Sequence, residues 1–444
     1  MQANRLRARM GYALWAVGLA TASALPAQVL TTLHSFCTAG GSCPDGENPY
    51  AGMVQGINGS LYGTTYRGGT YGGGTVFTFS SSGSFTTLYN FCAVSGCADG
   101  ESPFAGLTAV TSGNLFGTTQ GGGANGFGTV FSMTSAGVLT TVYNFCSQSG
   151  CADGGYPYGG LFPSTTGAFY GTTFIGGHVH GESPEGTVFK ITSSGALTTL
   201  YQFCHGFGTC TDGSAPMAGV IQASDGNLYG TTFTGGTRAG WPAGLGDNGT
   251  VFRLTPDGEL TTLYSFDNST SYAYGSWPRA GLAQGSDGNL YGTANQRGAN
   301  GNYGTIFKIT TSGSITALYS FCAVSGCPDG ANPEAPLIQA TDGNYYGTTH
   351  FGGAHNGGTL FRITPGGTLT TLYSFCALAR CADGQYPYAG LFQASDGNLY
   401  GTTYQGGNAG RGTLFKLSGG LAPSVKTPAS GSGISGADTS PRKR

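Results

Sequence analysis

Short runs of apolar and β-branched residues, each interrupted by glycine, recur along the chain at a steady interval. The clearest is Leu61-Tyr62-Gly63-Thr64-Thr65. Its counterparts are Leu115-Phe116-Gly117, Phe169-Tyr170-Gly171, Leu228-Tyr229-Gly230, Leu290-Tyr291-Gly292, Tyr345-Tyr346-Gly347 and Leu399-Tyr400-Gly401. The aromatic residue before the glycine falls at 62, 116, 170, 229, 291, 346 and 400, a period of 54 to 62 residues. A period of this size is the signature of a repeat architecture.

Each period predicts four strands. The first is small and apolar, as in Ala105-Gly106-Leu107 or Ala389-Gly390-Leu391-Phe392, and an Asp-Gly-Asn turn often follows it (225–227, 396–398). Asp-Gly between apolar runs is a tight-hairpin signal. The second strand is the Leu-Tyr-Gly-Thr-Thr run. A Gly-rich loop leads to the third, Gly-Thr-Val-Phe or a variant, starting at Gly74, Gly128, Gly186, Gly249, Gly304, Gly358 and Gly412. The fourth is typified by Leu197-Thr198-Thr199-Leu200-Tyr201-Gln202-Phe203. Thr, Tyr, Phe and Leu bounded by Gly, Asn, Asp and Pro is strand chemistry. No stretch beyond the N-terminus carries a sustained apolar period of 3.6 residues.

Four antiparallel strands repeated seven times predict an all-β fold, a seven-bladed β-propeller. The order of the pieces supports this. The repeats open on a fourth strand, Leu30 to Phe36, and close on a third strand, Gly412 to Leu417. Pairing these N- and C-terminal strands completes the seventh blade, closes the ring and removes an exposed sheet edge. A linear β-solenoid would have no use for this split. The expected division is 1–27 signal peptide, 28–417 propeller and 418–444 disordered Ser/Gly/Pro-rich tail.

Glycine accounts for 83 of 444 residues, but it recurs at fixed offsets and so punctuates turns. Only 9% of residues are charged, against about 25% in ordinary domains. The polar surface must therefore be largely Thr, Ser, Asn, Gln and Gly, which suits uncharged partners such as sugars. The chain carries a net −2, and a net +3 at each end leaves −8 on the propeller body. That excludes a nucleic-acid partner, which needs a basic footprint.

Arg5, Arg7 and Arg9 precede an apolar run from about Met10 to Ala22, with small residues at Ala22-Ser23-Ala24 and Ala27. This pattern predicts a cleaved secretory signal. The run is shorter than the ~20 residues that span a bilayer, so no transmembrane segment is expected after cleavage. The twelve cysteines fit export. They fall into six local pairs, Cys37/Cys43, Cys92/Cys97, Cys146/Cys151, Cys204/Cys210, Cys322/Cys327 and Cys376/Cys381, each just after a fourth strand. Bonding within each pair is the simplest reading. Six pairs without a recurring His make poor zinc sites.

In such a blade the first-to-second and third-to-fourth turns share one face. The second-to-third and inter-blade loops share the other, with most of the length variation, the cysteine pairs and a proline per repeat (Pro49, Pro103, Pro157, Pro216, Pro278, Pro333, Pro387). Function is usually carried by loops on a rigid scaffold. Three adjacent departures mark a candidate ligand site: His178, His180 and Glu182 in the third repeat; Arg238, Trp241 and Asp247 in the fourth; and Trp277 with Arg279 in the next inter-blade loop, which lacks cysteines. Trp and Arg are favoured binding anchors, and Trp stacks on sugar faces. A lone His-x-His is too weak to assign a metal. The recurrent Asp45, Asp99, Asp153, Asp212, Asp329 and Asp383 read as turn formers rather than calcium ligands.

The Asp-Gly-Asn-Leu-Tyr-Gly-Thr-Thr core (225–232, 396–403), Gly-Thr-Val-Phe (186–189) and Leu-Thr-Thr-Leu-Tyr-x-Phe (197–203, 369–375) resemble the GloVer-type tandem repeat of exported bacterial choice-of-anchor proteins. The resemblance spans roughly residues 29 to 417. It implies an exported repeat protein and no established activity, so no catalytic residue is carried over. The chain departs from the family after Leu417, where a Ser/Gly/Pro-rich tail replaces an apolar anchor. Residues 422–428 look like a linker into the Ig-like module that related chains often carry.

The expectation is a secreted, extracellular or periplasmic, monomeric propeller with no cofactor. It acts as a binding or surface-interaction module for carbohydrate or another surface protein. The rival is a propeller enzyme acting on extracellular polysaccharide, which would need carboxylates or a His near the axis.

Overall fold

The computed structural model describes residues 28–38, 41, 43–177, 185–204, 210–237, 248–266 and 272–424. Within them, 28 strands form seven four-stranded antiparallel sheets arranged as blades, the expected propeller. The closing blade draws on both ends of the chain. Val29–Ser35 pairs antiparallel with Thr413–Ser418, Leu30 opposite Leu417 and Ser35 opposite Thr413. The chain after Ser418 stays docked for a few residues, because the Ala422 carbonyl accepts from Thr341 Oγ1 (2.9 Å) and Gln393 Nε2 (3.1 Å). The proposed signal segment and residues 425–444 lie outside the described residues.

The core lies between blades. Each of seven apolar clusters joins one blade to the next, as Tyr62, Val76 and Phe91 do with Leu107, Leu115 and Phe131. One arrangement recurs at every interface. The glycine of the second strand sits opposite the phenylalanine of the third, as Gly63 opposite Phe77. A Cβ on Gly63 would come within 2.6 Å of the Phe77 ring. The bare glycine lets that ring lie flat on the sheet. The phenylalanine that ends the previous blade then packs edge-on against it: Phe36 on Phe77 at 5.3 Å, Phe91 on Phe131 at 5.3 Å, Phe321 on Phe361 at 5.4 Å. Edge-to-face packing adds about 0.5–1.5 kcal/mol per pair beyond area burial.

Polar bonds lock the same interfaces. The first Thr of each Gly-Thr-Thr donates to a carbonyl of the next blade. Thr64 bonds Ala105 O (3.3 Å), Thr231 bonds Ala280 O (3.0 Å), and Thr402 bonds Ala51 O (3.1 Å) across the closure. The second Thr faces inward to the third strand, as Thr65 to Thr75 at 2.8 Å. The fifth repeat has Ala294 there, and Thr305 turns to Tyr274 O instead (2.8 Å).

One local expectation about the strands needs correction. The first strand pairs over two residues only, and later than expected: Thr108–Ala109 rather than 105–107, and Phe392–Gln393 rather than 389–392. The blades crowd together near the axis, where a Cβ on Gly52 would meet Gly390 O at 2.7 Å, so the preceding residues leave the ladder and accept the threonine bonds instead. In the Asp-Gly-Asn turns the glycine alone takes positive φ (Gly226, 85°). Asn227 is instead held by Asp225, whose carboxylate also accepts from the Tyr229 hydroxyl (2.6 Å).

The six cysteine pairs are disulfides with the expected partners: Cys37–Cys43, Cys92–Cys97, Cys146–Cys151, Cys204–Cys210, Cys322–Cys327 and Cys376–Cys381. No cysteine is left free, so no thiolate remains to ligate a metal. The second cysteine of each pair also acts through its backbone. The Cys151 carbonyl accepts from Gly154 (2.8 Å) and Gly177 (3.1 Å), that of Cys210 from Gly213 (3.1 Å) and Gly236 (2.7 Å), and that of Cys381 from Gly384 and Gly407 (both 2.8 Å). In each case the second donor belongs to the second-to-third loop of the blade that follows. The cystine loop is thereby tied to the blade it enters. Cys151 and Cys381 end short 3-10 turns, Ser149–Cys151 and Ala379–Cys381, that sequence periodicity did not predict.

The recurrent Asp beside each disulfide organises the loop. Asp99 accepts from the Tyr89 hydroxyl (2.9 Å) and from the Ala93 and Val94 amides, and Asp153 and Asp383 do the same. In these three loops the carboxylate is taken up by bonds that hold the loop.

Thr402→Val keeps the volume of the closing clamp but strips its bond from the buried Ala51 carbonyl. It is expected to cost about 1–3 kcal/mol, read as a lower urea midpoint of the oxidised protein. An unchanged midpoint would show that the clamp contributes nothing.

Candidate functional site

The inter-blade loop enters each blade through one recurring turn. The residue before the proline adopts left-handed φ, between 53° and 57°, at Asn48, Ser102, Tyr156, Ala215, Trp277, Asn332 and Tyr386. A non-Gly residue there costs roughly 1–2 kcal/mol. Two backbone bonds offset it. Its N–H donates to the preceding blade's second-to-third loop (Trp277 to Asn248 O, 2.8 Å; Asn332 to Tyr303 O, 2.7 Å), and its carbonyl accepts from the residue after the Gly-Thr-Thr run (His350 to Asn332 O, 3.1 Å). The proline then rests where the glycine opening the previous blade's third strand leaves room, as Pro103 does on Gly74.

This turn aims the residue after each proline at the propeller axis. The seven are Tyr50, Phe104, Tyr158, Met217, Arg279, Glu334 and Tyr388, and all are half-buried. The residues after the Gly-Thr-Thr run form a second set against them: Tyr66, Gln120, Phe174, Phe233, Asn295, His350 and Tyr404. Together they line the axial mouth on the face that carries the long loops.

The mouth has an aromatic half and a polar half. Tyr50 packs on Phe104 (4.4 Å), Tyr388 (4.5 Å) and Tyr404 (4.8 Å), and Phe104 on Tyr158 (5.0 Å). Across from them Arg279 pairs with Glu334 at 3.3 Å, and Asn295 donates to the other Glu334 oxygen at 3.0 Å. Arg279 also lies over the Phe233 ring, 5.1 Å from its centroid. His350 Nε2 meets the Tyr388 hydroxyl at 3.3 Å, and Gln120 donates to the Tyr158 hydroxyl at 2.7 Å. Arg279 Nε and His350 Nδ1 are buried without a protein partner.

Burial governs the protonation of this site. It pushes Glu334 above the usual carboxylate range despite the Arg279 pair. Burial, reinforced by the Arg279 charge, lowers His350 to about 4. Burial also raises the Tyr50 hydroxyl to about 12. At neutral pH His350 is therefore uncharged, and Glu334 and Arg279, the one anion and one cation among the described lining residues, are paired.

Of the eight residues singled out in the sequence, His178, His180, Glu182, Arg238, Trp241 and Asp247 lie outside the described residues. Trp277 and Arg279 are brought together at the axis but play different parts. Trp277 holds the left-handed turn, with its ring 6.3 Å from Phe233. Arg279 enters the mouth. Sequence reading missed Tyr50, Phe104, Tyr158, Glu334, His350 and Tyr388. The signal present was a large side chain after the proline of every repeat.

A propeller with a lined axial mouth and cystine-braced inter-blade loops is the class that this fold and site define. The Gloeobacter/Verrucomicrobia repeat model matches residues 24–240 and 178–415, so the chain belongs to that family. No curated protein matches it in sequence. Among solved structures it is similar to the extracellular domain of a B. thetaiotaomicron signalling protein, described as a hybrid two-component and as a one-component system. The TM-scores are 0.52 and 0.53 at 10% identity, covering 83% and 84% of this chain and 38% of that one. The chain thus spans well under half of that domain, and the likeness is one of fold. A protein described as a putative gluconolactonase matches with a TM-score of 0.43 at 13% identity, over 89% of this chain and 93% of that one.

The His350 shift has a direct consequence. Between pH 6.5 and about 4 the unfolded chain protonates this histidine while the folded chain does not. Its contribution is therefore neutral above pH 6.5 and increasingly destabilising as pH falls, reaching about 3 kcal/mol near pH 4. Glu334, with its raised value, works in the opposite sense in acid. A His350→Gln variant is expected to lose part of its acid sensitivity relative to wild type in thermal melts between pH 7 and 4. Parallel curves would overturn the assignment.

Proposed function

We propose that the protein is an exported binding module and that its ligand, a neutral carbohydrate, enters the axial mouth. Six disulfides support export, because such bonds persist in oxidising compartments. The extracellular origin of the similar solved domains supports it as well.

The observation that carries the ligand class is the split lining. Stacked, half-exposed tyrosine and phenylalanine rings offer apolar faces to sugar C–H groups. Opposite them stand an amide, an imidazole and an already paired Arg–Glu couple, which offer hydrogen bonds without net charge. Binding is favoured over polysaccharide hydrolysis because Glu334 is the one carboxylate among the fourteen lining positions. Hydrolysis of a glycosidic bond ordinarily takes two.

The test is a glycan-array screen of the oxidised protein beside Tyr50→Ala and Phe104→Ala. Saturable binding to neutral glycans, weakened roughly tenfold or more in both variants, is the expected result. Undiminished binding in both would move the site off the axis. No binding to any glycan would end the carbohydrate reading.

A further inference from the structure

A second lined recess lies beside the axial mouth. On the loop face, between the fifth and sixth blades, the 322–327 cystine loop and the second-to-third loops enclose a cleft of about 530 Å³. Its lining includes Asn300 and Tyr303 from the fifth blade, Asn332 from the loop between, and Phe351 and Asn356 from the sixth; none of the lining residues is charged. Tyr303 and Phe351 are 38% and 39% exposed, unusual for large aromatic side chains in this chain.

The two outer amides are fixed yet incompletely used. Asn300 Nδ2 donates to Ser320 O (2.7 Å) and Phe321 O (3.1 Å), which leaves its oxygen without a protein partner. Asn356 Oδ1 accepts from the Gly352 amide (3.1 Å), which leaves its NH2 group without one. One held acceptor and one held donor, between two exposed rings, is the chemistry that recognises hydroxyl-bearing, weakly polar rings.

The interface between the second and third blades comes nearest to this arrangement, with Phe127 and Ile175 at the two ring positions and Asn125 Nδ2 donating to Phe145 O (2.9 Å), but it lacks the second aromatic ring. At the closure the positions equivalent to Tyr303 and Phe351 are Arg411 and Arg67, and between the first two blades they are Gly73 and Gly121. The cleft adjoins the axial lining through packed rings. Phe351 lies 4.0 Å from the His350 ring, and His350 is 4.2 Å from Tyr388.

We infer that this cleft is a second sugar subsite, and that the ligand is a chain of neutral sugar units running from the axial mouth to the rim between the fifth and sixth blades. The inference rests on the carbohydrate reading of the axial site.

The experiment is calorimetric titration of the oxidised protein with neutral oligosaccharides of increasing length, from one unit upward, taken from the array-positive series. Wild type is compared with Tyr303→Ala and Asn356→Ala, both checked by thermal melt. Affinity is expected to rise with length and then level off. Tyr303→Ala is expected to weaken the longest member roughly three- to tenfold while leaving the shortest unchanged. Asn356→Ala serves the same purpose should Tyr303→Ala fail to fold. Affinity independent of length, or long-chain affinity untouched by both variants while Tyr50→Ala still abolishes binding, overturns the rim subsite and leaves the axial reading standing. Failure of every neutral glycan to bind overturns both.

Discussion

The ring depends on a bare glycine in the middle of each blade. Gly63 and its six counterparts let the third-strand phenylalanine lie on the sheet. That ring in turn receives the phenylalanine arriving from the previous blade. Glycine in a strand interior normally weakens it. Here the cost is offset because the space it frees is filled by an aromatic ring that is fully buried, as Phe77, Phe131 and Phe252 are. The period visible in the sequence is thus a packing period. Leu-Tyr-Gly and Gly-Thr-Val-Phe recur together because each is the other's steric complement.

Once apolar packing fixes the blade spacing, the threonines fix the alignment. The first Thr of each pair reaches the next blade at a carbonyl that the crowded axis has pulled out of the ladder. The shortened first strand and the threonine clamp are therefore one solution to one problem. Seven sheets converging on an axis cannot all keep their innermost hydrogen bonds, and a buried carbonyl left unpaired costs about 1–3 kcal/mol. The hydroxyl supplies the missing donor.

Much of this was legible in the sequence. The period, the four runs, the split closing blade and the local disulfides all follow from residues that repeat. The backbone role of Cys151, Cys210 and Cys381 was not, because a carbonyl's partners depend on how the next blade docks rather than on residue type. The axial lining was hard to read for a different reason. The residue after each proline is Tyr, Phe, Tyr, Met, Arg, Glu and Tyr in turn, so it has no motif; what repeats is the left-handed residue and proline before it. Attention to cysteine-poor and lengthened loops led to Trp277 and Arg279, which lie at the axis, although Trp277 is there as a turn former. The partners of Arg279 could not be read, because Glu334 and Asn295 lie 55 and 16 residues further along the chain and meet it only through the ring.

This division of labour explains why the lining can be chemically diverse on so regular a scaffold. The turn that presents each lining residue is held by backbone bonds, by the proline ring and by a glycine in the neighbouring blade. None of these uses the side chain it presents. Fold and lining are therefore nearly independent. A tyrosine, a methionine, an arginine or a glutamate can occupy equivalent positions with the blades unchanged. The constraint that remains is electrostatic. A charge at a half-buried axis needs a partner, and that is why Arg279 and Glu334 occur in adjacent blades and bond each other. The polar half of the mouth meets this constraint and so carries no net charge. Pairing is thus a requirement of the depth at which these two side chains sit.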